Sequence, residues 1–89
     1  MNRVQYEGGK RYSVYSCDGY RPHDFRGHIW FIYVRDDSKK TSYLERHREL
    51  GPAVESECGT KNEWYLHGQK IKVKSQEEFK RYLKLKAFI

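Results

Sequence analysis

The stretch His28-Ile29-Trp30-Phe31-Ile32-Tyr33-Val34-Arg35 decides the fold. Its six central side chains are all apolar or aromatic, so an extended chain here presents large groups on both alternating faces. That pattern suits a central strand covered on two sides, the spine of a sheet.

Working outward, Arg11 to Ser16 alternates Tyr12 and Val14 with Ser13 and Tyr15 before a turn signal at Asp18-Gly19, and Gly8-Gly9 punctuates the chain upstream. Downstream, the polar Asp36-Asp37-Ser38-Lys39 leads into Lys40 to Arg46, so the spine and this segment read as a hairpin. Gly51-Pro52 breaks the chain. Ala53 to Glu57, a turn at Cys58-Gly59, and Asn62 to His67 read as a second hairpin, with Trp64 and Leu66 on one face. After His67-Gly68-Gln69, the segment Lys70 to Lys74 points Ile71 and Val73 one way and its three lysines the other.

Ser75-Gln76-Glu77-Glu78 fits a capping box, in which Ser75 accepts from the backbone of Glu78 and Glu78 reaches back. The helix it opens carries an apolar stripe of Phe79, Tyr82 and Leu83, extended by Leu85 and Phe88, with Lys80, Arg81, Lys84 and Lys86 around it. The expected fold class is therefore α+β: one domain over residues 1–89, with a small antiparallel sheet of consecutive hairpins over about 11–74 and one C-terminal α-helix over about 76–88.

Eighty-nine residues hold one core, because two would leave each half too little apolar surface to offset chain entropy. Mean hydropathy is −1.03, low enough for disorder, but 14 residues are Tyr, Phe or Trp, and these bury a large area per side chain. The opening Met-Asn-Arg-Val-Gln-Tyr has no apolar stretch of the secretory kind and no 18-residue apolar run occurs, so a cytoplasmic protein without membrane association is expected. Cys17 and Cys58 stand 41 residues apart and are expected to be free thiols.

The net charge of +6 is concentrated at one end: residues 61–89 hold eight Lys or Arg against three Glu, whereas residues 1–60 are nearly balanced. A basic end steers the domain towards phosphate backbones or acidic surfaces.

Few constellations carry chemistry. Cys17, His23, His28, His47, Cys58 and His67 lack the close ligand pairs with which structural zinc sites begin, and no metal or cofactor is expected. His47, between Arg46 and Arg48 and beside Glu49, is the best available acid or base for RNA cleavage, with Tyr43 or Tyr65 to assist. The same residues suit a turn with an ion pair, and the chain is read as a binding protein, not an enzyme.

His23 to Gly27 aligns weakly with His47 to Gly51, and Lys40 to Leu44 with Lys61 to Leu66, as if a hairpin were used twice. His47-Arg48-Glu49-Leu50-Gly51-Pro52-Ala53-Val54, then Gly59-Thr60, then Trp64-Tyr65-Leu66-His67-Gly68-Gln69 resembles a short repeat common in small proteins of tailed phages. Glu77-Glu78-Phe79 matches the acidic helix start that often follows it. The resemblance covers about residues 46–80; Leu50 and Cys58 replace the usual Asp at the turns, and His67 replaces Asn. The repeat is also similar to bacterial variants of the membrane-occupation-and-recognition-nexus hairpin, which implies strands and fixes no activity. The resemblance implies a phage protein that inhibits a host defence factor, similar to the toxin-inhibitory factors of T4-like phages directed at ribonuclease toxins.

The expected function is RNA or other nucleic-acid binding through backbone contacts. A protein-only inhibitor docking on a host enzyme is the alternative, and a small metal-independent ribonuclease the second. Lys70, Lys72 and Lys74 are expected to meet successive phosphates, with Lys39, Lys40, Arg46, Arg48, Arg81 and Lys84 extending the surface. An open sheet edge is expected to pair two copies into a homodimer.

Overall fold

A computed structural model describes residues 2–18, 26–57 and 61–87. The elements are β1 (Asn2–Glu7), β2 (Lys10–Asp18), β3 (Arg26–Asp36), β4 (Thr41–Arg46), β5 (Val54–Ser56), β6 (Trp64–Leu66), β7 (Gln69–Ile71) and α1 (Gln76–Ala87). The class is α+β, an antiparallel sheet of consecutive hairpins with one C-terminal helix. The expected turn at Cys58-Gly59, His23 and Phe88 lie outside the described residues.

Strand β1 has no counterpart in the sequence reading. It forms because Gly8 and Gly9, at φ of +59° and +79°, make a two-residue turn whose twist matches the flanking strands. Glu7 thereby faces Lys10, and pairing runs on to Asn2 opposite Tyr15.

The spine β3 is hydrogen-bonded along both edges. Residues 26–31 pair with β2 on one side, while the other side meets β5 at residues 27–29 and β4 at residues 31–36. Between the ends of β4 and β5 the chain leaves the sheet for the seven residues His47 to Ala53. Both ends of the excursion close on one residue: the His47 N–H donates to the Trp30 carbonyl at 3.0 Å, and the Trp30 N–H donates to the Ala53 carbonyl at 2.7 Å. At the start of β3, Gly27 is required, because a Cβ there would lie 1.8 Å from the Glu55 carbonyl oxygen.

The excursion folds over the face that carries Tyr12, Val14 and Trp30, and together with Ala53 these form the first core. Tyr12 and Trp30 meet edge to face, with ring centroids 5.4 Å apart. The opposite face of β3 is not covered as expected: Tyr33 is 64% exposed, and Ile29 and Phe31 are only half-buried. The hydrophobic run reads as two-sided burial, but the chain supplies its cover to one side only.

Hairpin β6–β7 is tied to the β4–β5 edge by backbone bonds, Val54 with Glu63 in both directions, Arg48 N–H to the Tyr65 carbonyl and Gly68 N–H to the Arg46 carbonyl. Its turn puts His67 at φ +49° and Gly68 at φ +80°. Trp64 and Leu66 share one face, as expected, and with Phe79 make a second core against which Ile71, Val73, Tyr82 and Leu83 pack. Leu85 does not join it and is 67% exposed.

Helix α1 begins as its sequence dictates, with one shift. The Glu78 N–H donates to the Ser75 hydroxyl at 3.2 Å, but the Glu78 carboxylate accepts from the Lys74 N–H at 2.8 Å, one residue further back than the usual box. Strand β7 stops at Ile71, short of the expected Lys74. There the Val73 N–H bonds the Ile71 carbonyl at 2.9 Å, which bends the chain at Lys72. The segments aligned as a repeat also differ, since Arg26-Gly27 opens a strand and Gly51 sits in the excursion.

Candidate functional site

The residues singled out around His47 build a clasp, not a reactive centre. Arg48 lies over the Trp30 ring, its guanidinium carbon 3.7 Å from the centroid. Its Nε and Nη2 donate to the two oxygens of Glu7 at 2.9 and 2.8 Å. Its Nη1 lies 3.0 Å from a Glu55 oxygen and 3.3 Å from the Pro52 carbonyl. The other Glu55 oxygen accepts from the Trp30 indole at 2.7 Å. Arg48 is therefore spent on the scaffold, contrary to its expected place on a phosphate-binding surface.

The His47 ring is 2% exposed. Its Nδ1 accepts the His67 N–H at 2.9 Å, which leaves Nε2 to carry the proton and to face Glu49 at 3.4 Å. Burial pushes the ring below its ordinary pKa, consistent with that neutral tautomer. Glu49 pairs with Lys10, whose hydrogen bond holds the carboxyl below its usual range. The hydrogen bond from the His67 N–H to His47 Nδ1 thus joins the excursion to the β6–β7 turn, and the Arg46-His47-Arg48-Glu49 run is divided among structural partners. Among the described residues no group of three His, Cys, Asp or Glu could hold a metal ion. Cys17 is a free thiol; His23 and Cys58 lie outside the described residues.

The clasp covers one face of the sheet and leaves the other open. Residues opposite one another in register share a face. The open face therefore carries Val4, Tyr6, Arg11, Tyr15, Ile29, Phe31, Tyr33, Arg35, Leu44 and Arg46. Tyr6 is 69%, Tyr33 64% and Val4 48% exposed. Tyr15 and Phe31 lie edge to face at 5.2 Å between them. Burying a side chain of this size is worth about 1.5–3 kcal/mol, so a contiguous patch left to solvent marks a binding surface.

The carboxylates of strands β1–β5 are confined to one face of the sheet, where Arg3, Lys10 and Arg26 accompany them. Glu7, Asp36, Glu45 and Glu55 all project from the covered face. Among the described residues of β1–β5 the open face carries Arg11, Arg35 and Arg46 and no carboxylate. Arg46 lies over the Tyr65 ring at 5.4 Å and donates to its hydroxyl at 3.3 Å. Arg35 pairs with Asp37 in the neighbouring turn, where both are largely solvated.

Of the other basic residues expected to bind phosphate, Lys39 and Lys40 lie in the exposed β3–β4 turn, Arg81 and Lys84 on exposed positions of α1. Lys70 is paired with Glu63 at 2.8 Å, which raises the lysine's pKa and lowers the carboxyl's. Lys72 and Lys74 are exposed but follow the bend, so the three lysines do not form the evenly spaced row of a straight strand. The sequence reading expected exposed aromatics among Arg and Lys but placed those of β3 under cover, because the continuous apolar run Ile29 to Val34 was read as burial on both faces. The signal was present: the carboxylates of β1–β5 all fall on the covered parity, whereas Arg11, Arg35 and Arg46 fall on the other, although Arg3 and Arg26 share the covered parity with the acids.

A cleft of about 600 Å³ lies between the excursion and the start of α1, lined by Arg48, Pro52, Trp64, Lys74 and Gln76 among others. Gln76 bridges it, accepting from the Trp64 indole at 2.9 Å and donating to the Leu50 carbonyl at 3.2 Å. This makes the cleft a joint between two elements. No family model, curated protein or solved structure matches the chain.

Proposed function

We propose that the protein binds single-stranded nucleic acid, RNA foremost, on the open face of its sheet and without catalysing a reaction. The observation that carries the proposal is the combination on one face of solvent-facing aromatics and three arginines with no carboxylate from strands β1–β5, the Glu63 carboxylate at the β6 border being engaged by Lys70 and Tyr65. Unpaired bases have π-faces that stack on Tyr and Phe rings, and guanidinium groups meet the phosphates between them. A duplex hides its bases and gains less from such a surface. Backbone contacts favour promiscuous binding. In the setting implied by the phage resemblance, this binding serves to inhibit a host defence factor such as a ribonuclease toxin. The homodimer expected from the sequence places two such faces in one assembly.

The test is fluorescence anisotropy with unrelated single-stranded RNAs across a salt series. Tyr33→Ala is expected to weaken binding by ~1–3 kcal/mol, the range for one base stacked on an aromatic ring. Arg11→Ala and Arg46→Ala are expected to lower the salt slope. The triple replacement of Lys70, Lys72 and Lys74 by Ala is the control for the basic C-terminal segment. If it alone weakens binding and Tyr33→Ala does not, the ligand sits there and the open face is wrong. If the wild type binds no RNA, the open face is a protein-docking surface, as for an inhibitor that meets its host enzyme directly.

A further inference from the structure

Strand β1 forms one border of the sheet, and its six residues Asn2–Glu7 carry no proline, lysine or bulge to blunt the edge. Residues 2–6 are all exposed, Val4 and Tyr6 among them. Which backbone groups face outward follows from the ladder. The peptide of Trp30 points to the Ala53 and His47 side of β3, so its register partner Val14 turns its own peptide groups away from β3, towards β1. Val14 thus forms a hydrogen-bonded pair with Arg3, as Tyr12 does with Gln5 and Lys10 with Glu7. The N–H and C=O groups of Asn2, Val4 and Tyr6 point outward.

We propose that β1 pairs antiparallel with β1 of a second copy across a two-fold axis through Gln5, and that this is the dimer interface. This inference rests on the homodimer reading and is independent of the ligand. A two-fold axis normal to the sheet allows only registers that keep each residue opposite one of its own parity. With Gln5 on the axis, Arg3 faces Glu7 of the second copy and Glu7 faces its Arg3. Val4 faces Tyr6 on the open face, and these two residues exchange backbone hydrogen bonds at both symmetry-related positions. The alternative with Val4 on the axis sets Arg3 opposite Gln5 and loses both charge pairs, so charge complementarity selects the first register. The pairing covers the apolar pair Val4 and Tyr6 and joins two open faces into one surface.

The experiment is sedimentation velocity of the full chain at tens of micromolar, with circular dichroism as the check on folding. The wild type is expected near twice the 10.8 kDa chain mass. Val4→Pro removes an N–H that points outward and leaves the β1–β2 ladder intact, because proline is tolerated where the N–H faces away from the sheet. It is expected to weaken dimerisation at least tenfold with an unchanged spectrum. Arg3→Glu, which sets like charges opposite each other, is expected to do the same and serves if the proline variant is unfolded. A wild-type monomer overturns the homodimer and the edge together. A wild-type dimer that both folded variants preserve at unchanged affinity overturns the edge and leaves the homodimer standing.

Discussion

Arg48 and His47 are adjacent in sequence and both leave solvent, for opposite electrostatic reasons. Arg48 keeps its charge because two carboxylates and an aromatic face receive it. Arg48→Met leaves Glu7 and Glu55 facing one another beside Trp30. Removing one partner of a buried pair costs about 3–5 kcal/mol; partial exposure of these side chains brings the expected loss to about 2–3 kcal/mol, read as a lower urea midpoint. Arg48→Lys is expected to recover little, since one ammonium cannot fork to Glu7 and reach Glu55. His47 instead stays neutral. Its pKa is lowered from 6.5 by burial, against the opposing pull of Glu49 and with the help of His67 and Lys10. Above pH 6.5 the ring is neutral in both folded and unfolded chains. Below it the unfolded chain takes up a proton that the folded ring refuses, so stability falls until the lower folded pKa is reached. The carboxyl of Glu49 is lowered from 4.5 and takes stability away only at more acid pH. Melting between pH 7.5 and 5.5 is expected to drop for the wild type and to drop less for His47→Asn; equal drops would place the sensitivity in another group.

Among the elements, those with local punctuation were legible and those defined by a distant partner were not. Helix α1 was foreshadowed by Ser75 and Glu78 and lies where expected. Ser75→Ala is expected to destabilise the protein by about 1 kcal/mol, the typical value of an N-cap; an unchanged melting midpoint would remove Ser75 from that role. Strand β4 followed from its turn, where Asp36 accepts from Ser38 and Lys39. Strand β1 was not legible, because Asn2-Arg3-Val4-Gln5-Tyr6-Glu7 has only two apolar side chains and gains its conformation from pairing with β2. The end of β7 was overextended for a related reason. Alternating exposure persists from Lys70 to Lys74, but the helix core draws in Ile71 and Val73 across a bend that no residue type announces.

On the scale of the molecule, strands β1–β5 put every carboxylate on one face of the sheet, and composition does not reveal this. Composition located the positive charge in the C-terminal third, whereas the open face takes its three arginines from β2, β3 and β4. Net charge ignores the pleat, and parity along a strand does not; only pairing shows that parities from four strands coincide. The two-sided apolar run of β3 was legible as a sheet spine and misleading about cover, because sequence alone does not say how many layers the chain has left to supply. The Arg48–Glu7 bridge has a further meaning in time. Most strand pairs join chain neighbours and need little loop closure to form, but this bridge joins residues 41 apart and requires β1, the excursion and Trp30 to be in place already. It is expected to close after the transition state, so Arg48→Met speeds unfolding in stopped-flow measurements and leaves the refolding rate nearly unchanged. The bridge then acts as a latch: it determines how long the native state survives and has little influence on how quickly the chain first reaches it.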